Sequence, residues 1–194
     1  PINYIEIYYS GNSSLPAVSQ VQSVNSFLNI KSDYNLLMKA QYLVELSEKF
    51  FSDDTNYESQ LNRLIDTLNE LPKTNHSELV VLVYEYELLK SYGFGLRIFE
   101  CSNCSVQLKK TSHYFSVNNS GFYCDNCLGE MKTNENMIKL SVESQVIFRS
   151  IERRNYKNLS SLDLDNISIS DLSKILKESI SNVLGVQLKS SRFL

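Results

Sequence analysis

Four cysteines carry the only spacing in this chain that encodes a definite chemistry. Cys101, Cys104, Cys124 and Cys127 read C-x2-C-x19-C-x2-C, and no other cysteine is present. Each C-x2-C pair sets two thiolates on one tight turn, and two such turns close a tetrahedron of sulfur around a Zn2+ ion at Zn–S distances of about 2.3 Å. With every coordination position filled by protein, the site is structural and leaves no place for an activated water. The intervening Ser102-Asn103 and Asp125-Asn126 are turn formers. Three other chemistries use the same residues. Two disulfides fit an oxidising compartment, a C-x-x-C pair can cycle as a redox couple, and iron accepts four thiolates. Zinc is the expectation, because nothing places the chain in an oxidising compartment and no thioredoxin-like pattern surrounds either pair. His113 is a possible substitute ligand, but four thiolates complete the shell and an ordinary hairpin residue is the simpler reading.

Catalytic signals are otherwise absent. The chain holds two histidines, His76 and His113, neither beside a nucleophile pattern, and no Gly-rich phosphate loop, H-E-x-x-H or G-x-S-x-G. The expectation is a protein that is not an enzyme. Of its 194 residues 42% are hydrophobic and 21% charged, an ordinary globular composition. No apolar run reaches the roughly 20 residues of a membrane span, and the opening PINYIEIYYSGN lacks the basic start and apolar core of a signal peptide. These features predict a cytoplasmic protein with no membrane partner. The net charge is −3, but residues 1–96 carry 6 Lys+Arg against 12 Asp+Glu and residues 97–194 carry 13 against 10. A basic patch is therefore expected in the second half.

The elements that must position the cysteines are mostly helical. Residues 2–9 alternate Ile5, Ile7 and Tyr9 against Tyr4, Glu6 and Tyr8, which is strand periodicity. Residues 18–29 are read as a short helix after a Gly11–Pro16 loop. Apolar residues at spacings of three and four predict helices from about Asp33 to Phe51, over Leu61–Leu71 stopped by Pro72, and from a Ser77 cap to Tyr92 with Gly93 behind it. Residues 94–130 read as hairpins and turns, with a turn at Asn118–Gly121. They hold few large apolar groups, so metal binding has to substitute for a core there. Helix resumes at Val142 and again from about Ser170 to Leu184, where Leu172, Ile175, Leu176, Ile180 and Val183 share the inner face. The Asn158–Ser170 stretch reads as a loop.

The cysteine flanks resemble a known family. LLKSYGFGLRIFECSNC (88–104) is similar to the LL..LGY.L.L..C..C segment of the RecO family of bacterial DNA repair and recombination mediators. HYFSVNNSGFYCDNC (113–127) resembles that family's YFS...GG..C..C hairpin, and VLGVQLKSSRFL (183–194) its LG..LKSR.FL terminus. YIEIYYSG (4–11) looks like the strand that closes the family's N-terminal OB barrel. The resemblance implies a mainly α fold: a helical bundle with an inserted four-Cys zinc finger, preceded by one strand remaining from an OB barrel. It divides the chain into an OB remnant (1–16), a first helical part (17–96), a zinc finger (97–139) and a C-terminal helical part (140–194), and implies that most of the barrel lies outside this chain, in keeping with a first residue that is not Met.

The family's activity, carried over as an expectation, is to bind single- and double-stranded DNA, anneal complementary strands and help load recombinase onto DNA coated by single-stranded DNA-binding protein, with RecR and that protein's acidic, apolar C-terminal tail as partners. Phosphate contact needs Lys and Arg on one face. The candidates are Arg97, Lys109, Lys110, Arg149, Arg153, Arg154, Lys189 and Arg192. Arg149 and Arg153 are four apart and share a helix face. Each charge alone is also what a solvated surface carries, so the cluster counts for more than any member. The 12 tyrosines invite base stacking, but their spacing matches core positions. The alternative reading is a structural zinc-ribbon interaction module with no nucleic-acid role.

Overall fold

Antiparallel pairing turns the N-terminal strand into half of a hairpin. In the computed structural model, which describes residues 2–11, 17–51, 57–109, 111, 113–129, 137–153 and 166–193, β1 (Tyr4–Ser10) pairs with β2 (Ala17–Asn25). The short helix expected at 18–29 is therefore strand over most of its length. Val18, Val21 and Val24 recur at helical spacing, yet β-branched residues favour the strand once a partner is available. Two register shifts, at Tyr4/Ile5 and Tyr8/Tyr9, bend the ribbon. Its apolar side chains stay in solvent on both faces, Tyr9 being 60% and Val18 57% exposed.

The chain forms two compact units, residues 1–80 with 188–194, and residues 81–187. In the first, a single helical turn α1 (Leu28–Lys31) leads to α2 (Tyr34–Phe50) and α3 (Tyr57–Glu70). Asp33 caps α2, its carboxylate accepting the Asn35 and Leu36 N–H groups at 2.8 and 3.1 Å. Ala40, Leu43, Leu46 and Phe50 form its buried stripe, facing a core that includes Leu64 and Leu68 of α3. Pro72 lies in a 3-10 turn, Leu71–Lys73, that ends α3 as expected. Ser77 does not cap the next helix but is its first residue: α4 spans Ser77–Ser91, and the Ser77 hydroxyl accepts a 2.6 Å bond from the Lys39 ammonium. Lys39 also pairs with Glu78 at 2.5 Å. Gly93 takes φ +84° behind α4, the left-handed conformation a helix C-terminus needs and glycine supplies without strain.

The C-terminal segment docks in this unit. A 3-10 turn, Ser190–Phe193, presents its first amides to Glu45 of α2. The Glu45 carboxylate accepts the Lys189 and Ser190 N–H groups at 2.9 and 2.8 Å, and the Ser190 hydroxyl as well. Burial raises the Glu45 pKa, but the bonds from Ser190 and Lys189 and the Lys49 charge outweigh it and hold the carboxyl below its ordinary value. A carboxyl so depressed stabilises fully above its unfolded value and loses that contribution as pH falls through the folded one. The latch is therefore expected to hold at neutral pH and to release only as pH falls below the ordinary carboxylate range. Glu45→Gln is expected to lower stability by about 1 kcal/mol and to speed hydrogen exchange at the Lys189 and Ser190 amides. Unchanged exchange would show that the turn is held by other contacts.

In the second unit, β3 (His113–Ser116) is the centre of an antiparallel sheet ordered β4-β3-β5, with β4 (Gly121–Tyr123) and β5 (Met137–Leu140) at its edges. Phe115 opposes both Phe122 and Ile138, and the two phenyl rings meet edge-on with centroids 5.2 Å apart. β5 was not anticipated: MIKL alone is too short and too uniform a run to declare a strand. A short α5 (Asp125–Leu128) carries the second cysteine pair. Helix α6 (Val142–Glu152) is capped by the Ser141 hydroxyl, which accepts the Ser144 N–H at 3.1 Å. Helix α7 (Asn166–Leu184) packs on α6 and β5. Its first turn absorbs residues 166–170, expected as loop, while 158–165 lie outside the described residues. Leu172, Ile175, Leu176 and Ile180 are buried as expected, and Val183 is half-buried.

The core of this unit combines α4, α6 and α7. Leu82, Tyr84, Tyr86, Leu88, Ile147, Phe148 and Ile151 are buried with the inner face of α7. Glu152 clips α4 to α6, accepting the Tyr86 hydroxyl at 2.6 Å and the Lys90 ammonium at 2.8 Å on both oxygens. Burial and then the Glu152 carboxylate push the Tyr86 phenol far above its ordinary pKa, so it stays a proton donor at any physiological pH. The protein is mainly helical with a small sheet. Among the described residues no helix is long and apolar enough to cross a membrane.

Candidate metal centre and basic face

Two loops built differently bring the cysteines together. The first is a tight turn between the bridged residues Glu100 and Gln107. The Cys101 carbonyl accepts the Ser105 N–H, and its own N–H reaches the Val106 carbonyl, both at 2.9 Å. Ser105 takes φ +58° to close the turn. The second is the start of α5: Cys124 precedes the helix and Cys127 lies one turn on, with the Leu128 N–H returning to the Cys124 carbonyl at 3.0 Å. The strands dock one loop on the other. Arg97 exchanges backbone bonds with Ser120 and Phe122 at 2.9 and 3.2 Å, and the Ser102 N–H donates to Phe122 at 2.8 Å. Gly121 permits this approach, because a Cβ there would stand 2.0 Å from the Ser102 hydroxyl and 3.2 Å from the Arg97 carbonyl oxygen.

All four cysteines are free thiols, and their Sγ atoms lie within 4.8 Å of one another. Cys104 Sγ and Cys124 Sγ are 3.7 Å apart. A regular tetrahedron with 2.3 Å metal–sulfur bonds has sulfur–sulfur edges of about 3.8 Å, so the spacing suits a metal ion at the centre. Two donors already point at sulfur: the Cys124 N–H at Cys101 Sγ and the Asn103 amide at Cys127 Sγ, each at 3.4 Å. Burial raises the Cys101 pKa, but N–H bonds from Cys104, Cys124 and Asn103 outweigh it and bring the thiol down to about 6. At Cys127 the Asn103 amide favours the thiolate, but the crowded sulfurs of Cys104, Cys124 and Cys101 push it up to about 12. Four thiolates this close repel unless a cation sits among them, which is the charge pattern expected of ligands awaiting a metal. Among the described residues, these four cysteines can hold a metal ion. His113 is not one of them. It is buried in β3, with its Nε2 3.1 Å from the Lys109 carbonyl oxygen.

Of the expected DNA contacts, the structure brings Arg149 and Arg153 together on α6 and at its end, both over the Phe99 ring, their guanidinium carbons 6.0 and 5.1 Å from its centroid. The Arg149 guanidinium also lies 3.5 Å from the Ile98 carbonyl oxygen and from the Gln145 Oε1. Burial, then the Arg153 charge, lowers the Arg149 pKa. Among the described residues neither arginine forms an ion pair. Arg97 is exposed two residues before Phe99, and Lys109 is exposed beyond the first cysteine loop. Lys110 and Arg154 lie outside the described residues. Lys189 and Arg192 are exposed in the other unit, on the Glu45-latched turn.

Sequence reasoning missed Phe99, Asn103, Gln145 and Glu45. Asn103 was visible only as a turn former. Phe99, Gln145 and Glu45 carry no local signal for these contacts, since the partners are 50 residues away for Phe99 with Arg149, 34 for Gln145 with Thr111 and 145 for Glu45 with Ser190.

Comparison with known proteins follows the same span. Residues 31–192 match the family described as Recombination protein O C terminal. The DNA repair protein RecO of Dehalococcoides mccartyi is 28% identical over 191 residues, covering 98% of this chain and 74% of the relative. RecO of Caldicellulosiruptor bescii is 25% identical over 189 residues (97% and 75%). RecO of Bacillus pumilus is 21% identical over 194 residues (100% and 74%).

Proposed function

The chain belongs to the recombination protein O C-terminal family, and from that premise we propose that it is a non-catalytic mediator of DNA repair that binds DNA through the basic face of its second unit. The observation that carries this reading is the Arg149–Phe99–Arg153 arrangement. Two guanidiniums held over one ring, one of them half-buried and without an ion pair among the described residues, repel each other until an anion arrives. A DNA phosphate supplies that anion and accepts bidentate bonds from each. Arg97 and Lys109 extend the face, and Lys110, Arg154, Lys189 and Arg192 are further contacts of the same proposal. The four cysteines hold zinc, a closed ion that braces the segment between Gly93 and Leu140 and does no chemistry on DNA.

The finer activities belong to the same reading: annealing of complementary strands, recombinase loading, and partnership with RecR and with the tail of single-stranded DNA-binding protein. They rest on family membership. The β1–β2 hairpin, apolar and exposed on both faces, fits the end of an OB barrel, with the helical parts and the zinc finger (97–139) following it.

Anisotropy of a labelled single-stranded oligonucleotide, titrated at several salt concentrations, tests the DNA reading. Arg153→Gln is expected to weaken binding equally across sequences and to reduce the slope of log affinity against log salt by about 1. If affinity and slope are both unchanged, the face does not contact phosphate. An interaction module with no nucleic-acid role is then the better description.

A further inference from the structure

The four sulfurs are not equivalent. Cys101 and Cys127, 1% and 6% exposed, are packed with Tyr123 against Leu108 and Met137. Cys104 is exposed and Cys124 half-buried. Each loop thus turns one sulfur inward and one outward. The inward pair is further shielded by N–H donors, from Cys124 to Cys101 Sγ and from Asn103 to Cys127 Sγ. The outward pair meets across the two loops at 3.7 Å. Thiol oxidation follows thiolate character and access, and a disulfide needs about 2.05 Å between sulfurs, a short closure for two side chains that already face each other.

We propose that Cys104 and Cys124 are a peroxide-sensitive pair, and that their oxidation to an inter-loop disulfide exchanges the metal for a covalent link. This rests on the metal reading above. The Cys104 thiolate attacks one oxygen of hydrogen peroxide: an S–O bond forms, the O–O bond breaks and hydroxide leaves, so the sulfur is oxidised by two electrons and the peroxide reduced by two. The Cys124 thiolate then attacks the resulting sulfenic sulfur. An S–S bond forms, the S–O bond breaks, and the departing hydroxide takes a proton to leave as water. Two of four ligands are consumed, and Cys101 with Cys127 cannot complete a tetrahedral shell, so the ion is released. The new link joins the same two loops the metal joins, so the segment keeps its closure in the oxidised state. Disulfides within a loop, Cys101–Cys104 or Cys124–Cys127, would each use a buried sulfur that peroxide reaches less readily and would leave the loops unjoined.

The test uses the full chain as purified. Zinc is first measured per chain, which checks the metal reading by itself. Hydrogen peroxide is then added, zinc release is followed with a chromogenic chelator, and disulfides are mapped by mass spectrometry without reduction. One zinc released per Cys104–Cys124 disulfide formed, reversed by thiol reductant plus zinc, is the expected result. Disulfides within either loop, or sulfinic acid with no disulfide, overturn the pairing. Brief treatment of the reduced protein with N-ethylmaleimide gives an independent readout. Cys104 is expected to be labelled first, and prior labelling of Cys101 or Cys127 overturns the assignment. If no zinc is present at the start, the metal reading fails, and the disulfide map of the reduced chain still decides the pairing.

Discussion

Cys101→Ser is expected to abolish metal retention and to unfold the segment from Gly93 to Leu140. Cys101 is the most deeply buried of the four sulfurs. It anchors the first loop through its own N–H and carbonyl and receives the Cys124 N–H from the second. Among the described residues it clusters with buried Tyr123 and Cys127, and Leu108, Cys124 and Met137 pack against them partly buried. Such a cluster removes too little apolar surface to order the two cysteine loops at about 25 cal/mol per Å2, although Ile98, Phe115, Phe122 and Leu140 are buried elsewhere in the segment. Structural zinc sites contribute roughly 10–16 kcal/mol of apparent binding energy, so losing one ligand removes most of what orders the loops. Metal content is expected to fall from one ion per chain to none, with hydrogen exchange rising throughout the segment while α6 and α7 keep their protection. Chelation of the unmodified protein is expected to give the same picture. DNA affinity is expected to fall only by the share that Arg97, Lys109 and the Phe99 platform supply, because Arg149 and Arg153 lie on and at the end of α6, outside the unfolded segment. A selective loss of affinity in a variant that remains folded would put the cysteine loops themselves in the DNA-binding surface, and retention of metal would mean that three sulfurs suffice.

Phe148→Ala is expected to cost about 3–5 kcal/mol of stability, the range for removing a buried aromatic ring. Phe148 is fully buried on α6, with its ring centroid 5.9 Å from that of Tyr86 on α4. The same two helices are clipped by Tyr86, Lys90 and Glu152, so the void cannot close without breaking charge-assisted bonds. Urea denaturation is expected to show a lower midpoint with an unchanged slope. Arg153→Gln, exposed at the end of the same helix, is expected to fall within about 0.5 kcal/mol of the parent. A loss below about 1 kcal/mol for Phe148→Ala would show that the helices collapse onto the gap.

These effects separate two kinds of information. Helices α2, α3 and α4 were legible because their apolar residues recur at three and four and because Asp33, Pro72 and Gly93 punctuate them. The β3–β4 hairpin was legible from its cysteine flanks and its turn residues. β2 was not, since Val18, Val21 and Val24 satisfy a helical spacing as well as a β-rich composition, and only pairing with β1 decides between them. β5 was not, since a four-residue strand acquires its identity from Phe115 and His113 across the sheet.

The sequence by itself determined which four residues could hold a metal ion. Cysteine chemistry and C-x2-C spacing act over three residues, where chain geometry leaves little freedom, and no other cysteine competes for a place. It also determined the family, through motifs that are contiguous in the chain. The tertiary structure decided which sulfurs face inward and which outward. It decided that Phe99 gathers Arg149 and Arg153, and that Glu45 holds the turn at Ser190. Each of those contacts joins residues tens of positions apart, and burial, electrostatic neighbours and hydrogen-bond partners over such separations exist only once the helices and the sheet have packed.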